Sequence, residues 1–354
     1  MSALVPAEYK FPEWGYSKPH RWWDKPGETK RLAEVDLQGH YGILLDCIAT
    51  VPEGVHYDIL RCEPCRRIHV MPLPSHAWLA DYYNRVFYEQ SHKDYVDRYE
   101  RDRTWWELWH TTKLEVTECV ENSAEERTRR QLKVLDIGAG PGLFLDVAKQ
   151  RGYQTFGIEP SEMLCTRLHK RGHQVQCGML DAIPVGLADE PFDLIHMHEV
   201  LEHMADPDEV LNCVNSMLAD DGHLVVTVPN DYNPLQMMIC DLGLVEKKWW
   251  LAPPEHLNYF TPKTLQLTLN QGGFKLYDMQ PTYPIEQFVI MGENYIGNDE
   301  LGRQCHIRRM VMETRMYMQG MWPSYLWHLR DMLDQARGGR EIIAFATKRE
   351  ALAT

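Results

Sequence analysis

Between Val134 and Ser161 the chain reads VLDIGAGPGLFLDVAKQRGYQTFGIEPS, and this stretch constrains the fold more than any other. Val134, Leu135 and Ile137 form a short apolar run that stops at a glycine cluster, the pattern of a buried parallel strand entering a tight loop. Gly138, Gly140 and Gly142 then alternate with Ala139 and Pro141. Glycine is needed where a backbone turns sharply, takes positive φ, or lets a ligand come within contact distance. From Leu143 the spacing predicts a helix, with Leu143, Val147 and Ala148 on one face and Gly152 at its end. Thr155, Phe156, Gly157 and Ile158 make a second strand, closed by Glu159. Strand, glycine loop, helix, strand and acid together are the first half of a nucleoside-binding βαβ unit.

Two details separate the cofactors such a unit can take. A dinucleotide fold spaces its glycines GxGxxG, so that a helix N-terminus meets a pyrophosphate. Here the spacing is GxGxG, and Asp136 stands two residues before the first glycine. An acid there suits a ligand bearing an ammonium or sulfonium and is a poor neighbour for phosphate. Glu159 fits a carboxylate that accepts hydrogen bonds from both ribose hydroxyls. The loop resembles motif I of the class I S-adenosylmethionine (SAM) methyltransferases. The resemblance implies SAM as cofactor, with Asp136, Gly138, Ala139, Gly140, Glu159 and Pro160 against it. A nicotinamide enzyme is the competing class, and the glycine spacing argues against it.

Charge narrows the partners. A net charge of −14 disfavours a nucleic-acid partner, because phosphate binding needs a basic face. The N-terminus, MSALVPAEYKFPEW, lacks the basic start and apolar core of a secretion signal. No apolar run approaches the ~18 residues of a membrane span. The expectation is a cytoplasmic protein without a membrane partner. Nine cysteines, an odd number scattered through apolar segments, fit reduced thiols.

Ahead of the βαβ unit, residues 1–36 are rich in Pro, Trp and charge and read as an arm without its own core. Residues 37–75 hold Cys47, Cys62 and Cys65. The segment HYDILRCEPCRRIHVMPLPSHAWLADYY resembles the second half of a small zinc ribbon found ahead of some SAM methyltransferase domains. A tetrahedral structural zinc needs four Cys or His ligands. Cys62 and Cys65 supply one knuckle, but upstream stand only His40, Cys47 and His56, at no recognised spacing, with His69 just downstream. The reading is a degenerate ribbon held by packing, with no metal assigned. Residues 76–130 read as helices with an aromatic stripe that includes Trp78, Tyr82, Tyr83, Phe87, Tyr95, Tyr99, Trp105, Trp106 and Trp109. Such a stripe is core or the roof of a pocket.

Residues 131–354 complete the expected domain. Met163 to Lys170 is predicted helical and His173 to Cys177 a third strand. Asp181 follows on the next loop; the resemblance implies that it accepts a hydrogen bond from the adenine amino group, with Leu180 and Met179 against the ring. Phe192 to Met197 is a fourth strand, and the HEVLEH that follows is similar to the post-strand segment of many small-molecule SAM methyltransferases. Its two histidines are five positions apart, so they do not share a helical face as HExxH zinc ligands do. His198 is expected beside the methionine part of SAM, at the carboxyl edge of the sheet.

Strands at 224–228, 274–279 and 341–347 and a helix started by Thr261-Pro262 finish the pattern. Glu255 and His256, in a Pro-Glu-His-Leu element, are the candidate general base, since a His beside a carboxylate titrates near working pH. The element is distantly similar to one in sugar C-methyltransferases, which carry Tyr where this chain has Pro253. Residues 284–338 insert a helical segment rich in Met, Arg and Tyr, either a cap on the acceptor site or a homodimer contact. The expected fold is α/β and Rossmann-like, a seven-stranded mostly parallel sheet with a helical N-terminal extension and a helical insertion. The expected function is methyl transfer from SAM to an O, N or C atom of a small molecule: a sugar, a glycan precursor or a secondary metabolite. A SAM-binding partner subunit without turnover is the alternative.

Overall fold

The computed structural model describes residues 40–49, 56–120, 131–180, 187 and 191–349. The arm over 1–36 and Asp181 lie outside them.

Three antiparallel strands come first: β1 (Gly42–Ala49), β2 (His56–Cys62) and β3 (Ile68–Met71). The main sheet takes β4 (Lys133–Ile137), β5 (Gln154–Glu159), β6 (Gln174–Cys177), β7 (Phe192–His198) and β8 (Leu218–Pro229). A two-residue strand, β9 (Asn258–Tyr259), returns to β3, and β10 (Phe274–Pro281) and β11 (Glu341–Lys348) close the main sheet. Its order is β10-β11-β8-β7-β4-β5-β6. Neighbours from β8 to β6 run parallel, and β11 lies antiparallel to both β8 and β10. This is the seven-stranded, mostly parallel sheet expected from the sequence.

Strands buried on both faces explain why the sequence shows apolar runs rather than alternation. Leu135, Ile137, Ile195 and Val226 face a core shared with Leu211, Val214, Leu265 and Leu269 of helices Pro207–Met217 and Pro262–Gln271. Val134, Leu194 and Val225 face the opposite core, with Phe144, Leu145, Trp109 and Tyr325. Side chains cap the starts of two of these helices. Asp206 accepts from the N–H groups of Asp208 and Glu209, and Thr261 and Thr264 form a reciprocal capping box.

The central strand β4 lies between β5 and β7, so its flanking connections leave in opposite directions and open a crevice at the carboxyl ends. Helix Arg103–Val120 packs beside helix Leu143–Gln150 on one face. It is locked to the insertion by Glu313, buried in helix Asp299–Met318. Glu313 accepts from Trp105 Nε1 at 2.5 Å, Trp109 Nε1 at 3.2 Å and Tyr325 Oη at 2.7 Å.

Two expectations change. Cys165 and Cys177 are joined as a disulfide, their Cα atoms 5.9 Å apart, because the helix after β5 and the end of β6 lie side by side. The CxxC knuckle is also less isolated than linear spacing suggests. Pairing of β1, β2 and β3 brings His40 and His69 beside Cys62 and Cys65.

Candidate active site

The glycine loop joins β4 to the helix that follows. Gly138, Gly140 and Gly142 take φ of +72°, +49° and +77°, which L side chains rarely adopt. A Cβ on Gly138 would stand 2.4 Å from Val200 Cγ2, so only glycine passes there. A Cβ on Gly140 would meet nothing nearer than 3.9 Å, so its surroundings are open. The N–H groups of Gly138 and Ala139 donate to the Ile158 carbonyl, at 2.8 and 3.1 Å, and pin the loop to β5.

Glu159 ends β5, 1% exposed. Its Oε2 accepts from Gly140 N at 2.8 Å and its Oε1 from Ser161 N at 2.9 Å. Burial pushes the carboxyl up to about 7, against the pull of those donors. A carboxylate offers about four acceptor positions. Two are taken by the backbone N–H groups of Gly140 and Ser161. That leaves about two positions, the number a ribose diol needs. The chain therefore fits the cofactor that the fold implies.

Asp136, 3% exposed, sits under the loop. It accepts from His196 Nδ1 at 2.7 Å rather than pointing to an empty space. Lys113 Nζ, from helix Arg103–Val120, lies 3.1 Å from His196 Nε2 and 3.3 Å from His198 Nδ1. Donors and acceptors then follow in order. Lys113 donates to both rings, His196 donates to Asp136, and the His198 Nε2–H is buried without a hydrogen-bond partner. Burial lowers Lys113 to about 8 and holds both histidines well below their ordinary value, so the rings are neutral near pH 7. Burial raises Asp136 well above the usual carboxylate range, with Lys113 opposing.

Lys113 and His196 escape linear reading. Lys113 does carry a signal, since it falls four and seven residues after Trp109 and Trp106 on a helical stripe.

Over the crevice lie aromatic rings. Tyr95 packs on Tyr99 with centroids 4.6 Å apart, Tyr99 stacks on Trp106 at 4.7 Å, and Trp106 meets His198 edge-on at 5.3 Å. Of the other residues expected at the cofactor, Leu180 is buried in the core with Phe156 and Ile158, and Pro160 is half-buried after Glu159.

The Glu255 carboxylate accepts from the Tyr82 hydroxyl and lies 3.2 Å from His92 Nε2. Burial favours its protonated form, but the bonds from His92 and Tyr82 outweigh it and hold the carboxyl below its ordinary value. The Glu255 carbonyl accepts from His203 Nδ1 at 2.7 Å. The ring of His256 packs against His203, centroids 5.0 Å apart, and burial takes it down to about 3. The imidazole that meets the carboxylate of Glu255 is thus that of His92, which no motif marks. Trp78 stacks on Tyr82 at 5.0 Å, and Tyr83 and Phe87 complete an aromatic wall.

Residues 108–278 match the methyltransferase-domain family. The chain carries a class I SAM methyltransferase domain. The matched residues of this methyltransferase domain run from Leu108 to Asp278 and include Lys113, the glycine loop, Glu159, His198 and Glu255. S-adenosylmethionine is the cofactor of such domains. A ubiquinone biosynthesis O-methyltransferase of Acinetobacter baylyi is 28% identical over 156 residues, which cover 42% of this chain and 65% of that protein. One from Acinetobacter baumannii is 30% identical over 155 residues, covering 42% and 65%. The chain therefore spans just under two thirds of the length of these curated relatives. Among solved structures, magnesium protoporphyrin IX methyltransferase of Synechocystis with bound SAH is 14% identical with a TM-score of 0.45, covering 77% of this chain and 100% of that one.

Proposed function

We propose that the chain is an enzyme that transfers a methyl group from SAM to a hydroxyl of a flat, largely apolar small molecule. The observation that carries the reading is the buried carboxylate of Glu159, with acceptor positions left beside its two backbone bonds, behind an open glycine loop. The O-methyltransferase names of the relatives favour oxygen over nitrogen or carbon. The aromatic wall beside Glu255 favours a flat acceptor over a sugar. A net charge of −14 supports a small-molecule acceptor rather than a nucleic acid. No helix among the described residues is long and apolar enough to cross a membrane. A homodimer contact through the insertion is supported by the exposure of Met318, Met321 and Trp327.

The bound cofactor supplies a methyl group on a sulfonium, and this chain's residues supply position and proton transfer. Glu159 holds the ribose. The unpartnered His198 Nε2–H donates to the methionine part of the cofactor or to the acceptor. The rings of Tyr95, Tyr99 and Trp106 exclude water, so that much of the acceleration comes from orientation. His92, held by Glu255, takes the acceptor proton; Glu255 orients that imidazole. His256, depressed to about 3, supports the loop from behind.

Turnover tests this reading. Protein is incubated with methyl-labelled SAM and a panel of phenols, catechols and hydroxyquinones, and labelled product is counted. Transfer to at least one acceptor, slowed about 100-fold in His92→Gln, is the expected result. Cofactor binding without transfer to any acceptor favours the partner-subunit alternative.

A further inference from the structure

The four-stranded sheet of β1, β2, β3 and β9 carries a cluster that methyl transfer does not use. We propose that His40, Cys62, Cys65 and His69 bind a structural Zn²⁺, which fixes the loop carrying Glu255. The four residues come from separate places. His40 precedes β1, Cys62 ends β2, Cys65 lies in the turn, and His69 sits in β3. One ligand atom from each lies within 4.8 Å of the other three, and His40 Nδ1 stands 3.4 Å from Cys62 Sγ. Tetrahedral zinc with bonds of about 2.0–2.3 Å sets its ligand atoms about 3.3–3.8 Å apart. The cluster is thus close to that size without rearrangement.

The decisive ring is His69, 3% exposed. Its Nδ1 lies 2.9 Å from the Val70 carbonyl, and a carbonyl only accepts, so Nδ1 carries the proton. Nε2 then holds a bare lone pair, and it is buried with no hydrogen-bond partner. An orphaned acceptor beside two thiols is costly in a packed interior. It is also the arrangement of a metal-bound histidine, whose second nitrogen donates to a backbone carbonyl. The turn suits a knuckle. Cys62 N–H donates to the Arg67 carbonyl at 2.8 Å, and Arg66, at φ of +60°, returns the chain from Cys65 towards β3. A small sheet gains from such a staple, because its own side chains cannot enclose a full core.

The site's reach follows from register. His69 pairs with Asn258, and Val70 N–H donates to the Leu257 carbonyl at 2.9 Å. Glu255 lies two residues before Leu257. A metal that holds β3 therefore holds the strand leading out of the candidate acceptor site. This last link rests on the proposed function, whereas the metal itself does not.

The test is metal content. The full chain is purified with added zinc, dialysed, and assayed by mass spectrometry of the metal and by chromophore release on thiol modification. About one zinc per chain is expected, retained in Cys47→Ser, whose thiol is exposed outside the cluster, and lost in Cys65→Ser. Cobalt in its place should give tetrahedral ligand-field bands and thiolate charge transfer. Should Cys65→Ser fail to fold, alkylation of the wild type decides: Cys62 and Cys65 react slowly with zinc and at least tenfold faster after chelation. Wild-type protein with no bound zinc, or with equal alkylation in both states, overturns the proposal. Cofactor binding, measured separately, tells that failure from a failure of the methyltransferase reading.

Discussion

Glu159 couples cofactor binding to pH, and the size of the effect follows from its surroundings. Burial raises its carboxyl to about 7, while the N–H groups of Ser161 and Gly140 and the Tyr88 hydroxyl limit the rise. A protonated carboxyl turns one acceptor oxygen into a donor and cannot take both ribose hydroxyls together with two N–H groups. Binding therefore selects the ionised form. With a pKa near 7, about nine-tenths is ionised at pH 8 and about one-tenth at pH 6, so the Kd for S-adenosylhomocysteine should rise about tenfold between them, or about 1.4 kcal/mol. Binding at pH 6 should release about 0.9 proton, against about 0.1 at pH 8. Calorimetry in two buffers of different ionisation enthalpy reads both quantities. The residual binding of Glu159→Gln should be flat over the same range. Wild-type affinity that does not change with pH, or an equal slope in Glu159→Gln, refutes the argument.

Stability supplies a matching prediction. The folded pKa of Glu159 lies above its value of 4.5 in an unfolded chain, so the native state holds that proton more tightly. The contribution is fully present below pH 4.5 and lost as pH rises through about 7. The shift of roughly 2.5 pH units corresponds to about 3 kcal/mol. The unfolding free energy of Glu159→Gln relative to wild type should move by about that amount in the variant's favour between pH 4.5 and pH 8, read by urea titration.

Three substitutions test other parts of the account. Tyr88→Phe removes a hydroxyl that holds the Glu159 carboxyl down and should move the pH midpoint of S-adenosylhomocysteine binding upward; an unmoved midpoint by calorimetry would contradict that role. Glu313→Ala strands the donors of Trp105, Trp109 and Tyr325 and leaves Arg309 without its carboxylate. It should cost about 3–5 kcal/mol in urea unfolding. Gly138→Ala forces a Cβ to 2.4 Å from Val200 at φ of +72°. It should cost about 2–4 kcal/mol and abolish cofactor binding.

The main sheet was legible because parallel strands buried on both faces leave apolar runs, and three closely spaced glycines, all at positive φ, mark the loop after β4. Glu159 was legible for the same reason: its place at the end of the second strand is set by the unit itself. Other parts of the site depend on tertiary approach. Lys113 reaches Asp136 through His196 from a helix outside the βαβ unit, and His92 reaches Glu255 across more than 160 positions of chain. Neither pairing has a spacing to read. The cysteine knuckle looked half-built because strand pairing, not linear spacing, brings its histidine partners to it. His40 is 22 positions from Cys62, and His69 belongs to the next strand. The disulfide between Cys165 and Cys177 was missed because scattered cysteines in an acidic chain carry no pairing signal.

The central claim is that the glycine loop and Glu159 hold S-adenosylmethionine. Calorimetric titration with S-adenosylhomocysteine at pH 8, beside Glu159→Ala, tests it most directly. Micromolar binding by the wild type that disappears in the variant is the predicted result. Absence of binding by the wild type, or equal affinity in the variant, would contradict the account.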